Sequence, residues 1–168
     1  MIDKISLTII RMEANPKHTA VRLRVSLFAL MRQLRQTAPP EAIGSARLGV
    51  LGALYRRGPM TPTELAAHER VKLQTLTRLL AELEADAWVV RKPDPGDGRR
   101  SLLSLTALGM RRLTADVQRR EASLAAAIDS ALTPAQQARL LTACEALDAV
   151  TLALGGTVDP SRALARPR

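Results

Sequence analysis

Apolar residues recur at Leu76, Leu79, Leu80 and Leu83, the i, i+3, i+4, i+7 spacing of one buried helix face, and predict a helix from about Leu73 to Ala85. The same spacing turns Lys72, Gln74, Thr75, Thr77 and Arg78 away from that face. A shorter helix precedes it. Thr61 at the N-cap, Pro62 at N1 and Glu64 at N3 form a capping box, with Met60 and Leu65 at the staple positions. That helix gives out near His68, and Glu69, Arg70 and Val71 make a tight turn. Beyond the longer helix, Trp88 to Val90 are strand formers and Ser101 to Thr106 alternates as a second strand. The segment Arg91-Lys92-Pro93-Asp94-Pro95-Gly96-Asp97-Gly98-Arg99-Arg100 between them has the prolines and glycines of a turn and four cations. Two helices joined by a tight turn, followed by a hairpin with a basic tip, make a winged helix-turn-helix.

The flanks are helical. From about His18 to Gln36, Ala20, Leu23, Leu27, Leu30, Met31 and Leu34 form an apolar stripe, and Pro39-Pro40 ends it. Asn15-Pro16 marks a break before it. Ser45 is expected to cap a second helix with Leu48, Leu51, Leu54 and Tyr55 inside, stopped by Gly58 and Pro59. Thr106 caps a long helix from Ala107 to about Ser130, with Leu108, Leu113, Val117, Leu124 and Ile128 on its apolar side and Arg111, Arg112, Arg119 and Arg120 polar. Thr133, Pro134 and Gln136 repeat the start signal. The last helix runs to about Leu154, with Leu140, Leu141, Cys144, Leu147 and Val150 expected to be buried, and Gly155-Gly156 stops it. The apolar segment Met1–Lys17 is an extension suited to packing on a partner subunit or to adding a partial helix, and Val158–Arg168 is a loose tail.

The fold class is therefore mainly α with a small β-hairpin. A winged helix-turn-helix DNA-binding lobe occupies 46–106, a helical dimerisation lobe 18–45 and 107–156, and extensions 1–17 and 157–168. The flanking helices carry more apolar surface than so small a lobe can cover, which predicts a twofold homodimer.

Charge sharpens the picture. The formal net charge is +9, which favours polyanions, either nucleic acid or an anionic membrane surface. Placement decides between them, because Arg70, Lys72, Arg78, Arg91, Lys92, Arg99 and Arg100 fall on the proposed reading helix and wing. A lone cysteine, Cys144, excludes a disulfide-built secreted fold, and its place on an apolar stripe suits an inert core thiol better than a redox switch. No run is apolar enough for a membrane span and no signal peptide is evident, so a cytoplasmic protein without a membrane role is expected. His18 and His68 stand apart without metal-ligand spacing, and no glycine-rich phosphate loop, nucleophile motif or paired carboxylates suggest catalysis. Neither enzyme activity, metal nor cofactor is expected.

The order T-x-x-E-L-A from Thr61, T-x-T-R-L-L-x-x-L-E from Thr75 and D-P-x-D-G-R-R-S-x-x-x-L-T-x-x-G from Asp94 resembles the MarR family of bacterial transcription regulators. The match is good from about Leu48 to Gly109, and Asp97-Gly98-Arg99 with Leu105-Thr106 and Gly109 is its most diagnostic piece. The chain departs from the family at Ala87, where a helix-ending glycine is usual; alanine there costs about 1 kcal/mol unless Asp86 takes the left-handed conformation or the turn differs.

Gln74 and Arg78 are the expected base readers, since glutamine matches adenine and arginine guanine. Lys72, Thr75 and Thr77 suit phosphates, and Arg99 at the wing tip suits the minor groove, with Arg100 beside it. Asp97 would shape the wing through an ion pair with Arg99. The resemblance further implies a homodimeric regulator, most often a repressor, on a pseudo-palindromic double-stranded operator with half-sites about 10 bp apart. It implies release by a small aromatic or phenolic ligand where the dimer helices meet the DNA lobe, for which Phe28, Met31, Tyr55 and Leu108 are candidates. An architectural DNA binder without a ligand is the alternative, and a winged-helix protein-interaction module ranks below it because it leaves the cationic wing unexplained.

Overall fold

The structure, a computed structural model, describes residues 15–156 and Val158. The expectations for Met1–Lys17 before Asn15, and for the tail apart from Val158, fall outside the described residues. The chain divides into two compact units, one ending at Pro40 and the other starting at Glu41.

The first unit holds helix α1 (Pro16–Gln36). It starts at the boundary read at Asn15-Pro16, two residues before the expected His18. Asn15 is the N-cap, its side chain accepting the Lys17 N–H at 2.9 Å, and Pro16 takes the first helical position, where its missing N–H costs nothing. None of the α1 stripe is buried, and Phe28 and Met31 are exposed.

The second unit runs α2 (Ser45–Arg57), α3 (Pro62–Glu69), α4 (Leu73–Ala85), β1 (Val89–Pro93), β2 (Ser101–Leu105), α5 (Ala107–Ala131) and α6 (Pro134–Ala153). Gly44, not Ser45, is the N-cap of α2, and no side chain caps that helix. Gly58 ends it with φ 81°, a conformation open to glycine. The α3 and α6 capping boxes form as read, Thr61 with Glu64 and Thr133 with Gln136. Strands β1 and β2 pair antiparallel with Val89 opposite Leu105 and Pro93 opposite Ser101. Met60 adds a bridge to Leu103, its N–H donating at 3.1 Å and its carbonyl accepting at 2.8 Å.

The core lies where α2, α3, α4 and β2 converge. Leu51, Leu65, Leu76, Leu80, Leu83 and Leu103 are its largest fully buried leucines, with Val50, Val89 and Leu113 beside them. Burial of each such side chain contributes about 1.5–3 kcal/mol. Leu79, expected on the same face, is only partly buried against this cluster.

Two junctions explain the diagnostic motif. Ala87 itself takes the left-handed conformation, with φ 55°, while Asp86 stays right-handed at φ −73°. The Trp88 N–H reaches back to the Leu83 carbonyl at 2.9 Å, closing the end of α4. Thr106 then ties this turn to α5. Its hydroxyl donates to the Ala87 carbonyl at 2.7 Å and accepts the Gly109 N–H at 3.0 Å. Gly109 is required because any Cβ there would strike the Trp88 carbonyl. Arg70 is a second left-handed residue, φ 54°, capping α3 at the helix-turn-helix turn.

The α6 stripe departs from expectation. Leu140, Leu141, Cys144 and Val150 are exposed and Leu147 is half-buried, because no element among the described residues of this unit covers that side of the helix. On α5 the expected polar row contains a buried clamp. Asp116 accepts the Ile43 N–H at 3.0 Å and the Arg120 Nε at 2.6 Å, and Arg120 also donates to the Ile43 carbonyl at 2.8 Å. No helix among the described residues is long and apolar enough to cross a membrane.

Candidate nucleic-acid interface

Lys72 is the N-cap of α4, extended at φ −67°, ψ 139°. Its carbonyl accepts the N–H groups of Thr75 at 3.0 Å and Leu76 at 3.2 Å, and its ammonium has no partner among the described residues. No side chain caps α4, so the helix presents its electropositive end together with Lys72. Gln74 and Thr75 follow on the exposed side, and neither side chain has a partner among the described residues. Thr77 is exposed too, but its hydroxyl donates to the Leu73 carbonyl at 2.9 Å, so it must turn before it can donate to a phosphate. Arg78 is exposed, with its Nε on Glu82 at 3.2 Å.

The wing is built by its aspartates acting on backbone. Asp94 accepts the Gly96 N–H at 2.9 Å and Asp97 the Arg99 N–H at 3.0 Å, while the Arg100 N–H donates to the Asp97 carbonyl at 2.8 Å. Asp97 therefore shapes the tip without an ion pair to the Arg99 guanidinium, which corrects the expected pairing. An aspartate two residues before an N–H closes a local turn more readily than it orders a long exposed side chain. Arg99 is left with an unpartnered guanidinium among the described residues, as are the side chains of Arg70, Lys72 and Lys92. Arg100 instead reaches Glu64 at 3.3 Å and ties the wing to α3, and Arg91 pairs with Glu84 at 2.8 Å and bonds Ser101 at 3.1 Å.

Two solvent-accessible acids on this lobe are favoured in their ionised form. Glu64 lies below the usual carboxylate range, mainly because it accepts the Thr61 N–H and hydroxyl, with Arg100 adding to the effect. Glu82 is lowered first by Arg47 and then by Arg78. Arg47 reaches from α2 to Glu82 at 3.0 Å and Asp86 at 2.8 Å, with its guanidinium 5.5 Å over the Trp88 ring. Sequence reading missed this network. Its one legible signal was the i, i+4 spacing of Arg78 and Glu82; Arg47 lies too far away in sequence for any local pattern.

Of the ligand candidates, Phe28 and Met31 are exposed on α1, and Tyr55 and Leu108 are exposed on α2 and α5. Tyr55 and Leu108 do not line the open groove of about 540 Å³ in the second unit, which is formed by residues 41–47 with Leu79 and Trp88. Among the described residues no three His, Cys, Asp or Glu gather as a metal site.

A model described as the MarR family matches residues 43–100, which spans α2, the helix-turn-helix, the first wing strand and the wing tip but not β2. A helix-turn-helix-type transcriptional regulator of Mycobacterium leprae is 38% identical over 87 residues, 52% of this chain and 61% of that protein, under two thirds of its length. One from Mycobacterium bovis is 36% identical over 103 residues, 61% of this chain and 72% of the relative. Among solved structures, a transcriptional regulator protein of Pseudomonas aeruginosa superposes with a TM-score of 0.70 at 34% identity, covering 82% of this chain and 95% of that one.

Proposed function

We propose, for a chain that belongs to the MarR family of transcription regulators, that it is a repressor holding a pseudo-palindromic operator as a homodimer and leaving it when a small aromatic ligand binds. The observation that carries the DNA-binding part is the free polar end of α4. Lys72, Gln74 and Thr75 stand exposed at the electropositive end of that helix, in the same unit as Arg99, and none of the four side chains has a partner among the described residues. Gln74 and Arg78 read base edges, Lys72, Thr75 and Thr77 hold phosphates, and Arg99 enters the minor groove with Arg100 bracing the wing. The lobe 46–106 does this work, and 18–45 with 107–156 supplies the dimer. The exposed apolar residues of α1 and α6 support that assignment, since faces of this kind are normally covered. The ligand reading rests on Phe28, Met31, Tyr55 and Leu108 being apolar or aromatic and accessible.

Titration of the purified protein against its own upstream intergenic DNA and against scrambled DNA, across a salt series, tests the reading. Saturable binding to the first alone, with protection of a palindrome, supports it, and a screen of phenolic acids for release then follows. Equal binding to both, lost together as salt rises, favours the architectural alternative, for which the +9 net charge is the motive.

A further inference from the structure

Glu82 sits between two arginines. One carboxylate oxygen accepts from Arg78 Nε at 3.2 Å and the other from Arg47 at 3.0 Å. Arg47 is itself fixed, by Asp86 at 2.8 Å and by the Trp88 ring beneath it. Glu82 is thus immobilised from the α2 side, whereas the Arg78 side chain is 89% exposed. An ordinary i, i+4 pair on a helix surface is weak partly because both side chains lose freedom on pairing. Here one of them has already been ordered by a third residue.

We propose that Glu82 is a positioning residue for DNA recognition, holding Arg78 back along α4 so that a guanine edge releases it and a passing phosphate does not. This rests on the reading of α4 as the helix that enters the groove. Glu82 lies one turn towards the C-terminal end of α4, away from the end that leads into DNA. Guanine offers two acceptors side by side, a match for the guanidinium fork, and so returns more than the bond to Glu82 that Arg78 gives up. A phosphate in a non-specific complex gives a mobile, screened contact and returns less. Glu82 therefore weakens non-specific binding more than specific binding. That difference is what a regulator needs in competition with the rest of a genome.

The test uses the full chain, a site recovered by selection from a random duplex pool, and a scrambled duplex of the same length and composition. Glu82→Gln keeps an oxygen for Arg47 and removes the charge that holds Arg78. It is expected to tighten binding to the scrambled duplex about 3-fold and to change the selected site less than about 2-fold, so the specificity ratio falls. The salt dependence on the scrambled duplex should steepen by about one released cation, as Arg78 becomes a phosphate contact. Glu82→Asp keeps the charge but is a methylene too short to hold Arg78, and should act in the same direction. A response confined to Glu82→Gln would show direct repulsion between Glu82 and DNA and overturn the proposal. In an Arg78→Ala background both substitutions should lose their effect; persistence there overturns it as well. Should Glu82→Gln melt below the assay temperature, Glu82→Asp with and without Arg78→Ala decides alone. If selection recovers no preferred site, the reading of α4 itself fails. A preferred site with an unchanged ratio in the variants refutes only the role of Glu82.

Discussion

Ala87 is the residue where local preference and the demands of the fold disagree. An L side chain resists φ 55°, yet the turn from α4 into β1 needs a left-handed residue, and Thr106 holds the Ala87 carbonyl in place from the other side. Ala87→Gly should therefore raise the stability of the folded chain by about 1 kcal/mol, seen as a higher urea midpoint with an unchanged slope. Gly109 is the opposite case. Its conformation is helical, but the Trp88 carbonyl occupies the space of a Cβ, so Gly109→Ala should cost about 1–3 kcal/mol by the same measurement. The departure at Ala87 was visible in the sequence, but which of Asp86 and Ala87 absorbs it was not. That choice is made by the hydrogen bond from Trp88 back to Leu83 and by the grip of Thr106, both products of the assembled fold.

At the scale of elements, the wing and the capped helices make the testable statements. Arg99→Ala should weaken operator binding by about 10-fold and flatten its salt dependence by roughly one released cation, while the thermal midpoint holds, because the Arg99 guanidinium supports nothing else among the described residues. Acid should loosen the lobe in a defined direction. Glu64 and Glu82 titrate below their ordinary value of 4.5 when folded and return to it on unfolding. Their contribution is complete above that value and is lost as the pH falls through the lowered ones, so the urea midpoint should begin to drop once the pH falls below about 4.5. Glu64→Gln should remove part of that slope. The elements themselves were legible wherever a start signal and a period agreed, as at Thr61-Pro62-Glu64, at Thr133-Pro134-Gln136 and along Leu76 to Leu83. Asn15-Pro16 offers a cap and a first-position proline but has His18 where the other two carry Glu64 and Gln136, so the sequence there marks a boundary without spelling out a capping box. At Asp97, opposite charges two residues apart suggest an ion pair, but a short aspartate side chain reaches the nearer backbone N–H of Arg99 instead.

At the scale of the whole molecule, α1 and α6 carry apolar stripes that hold no buried residue among the described ones. Periodicity reports that a face wants cover without saying which chain supplies it. With a chain mass of 18.2 kDa, light scattering should give about twice that value at micromolar concentration. Introducing charge at Leu141, which is 71% exposed, should lower the mass to that of one chain.

The exposed position of Cys144 has a practical consequence. It is the chain's one thiol, and it stands on the same helix as Leu140, Leu141 and Val150. A maleimide dye added to the unaltered protein therefore labels a single defined atom, on the helix assigned to assembly. If α6 lies in the proposed dimer, its labelling rate becomes a clock for subunit separation, slow in the assembled state and fast on dilution, and it reads assembly without any engineered residue.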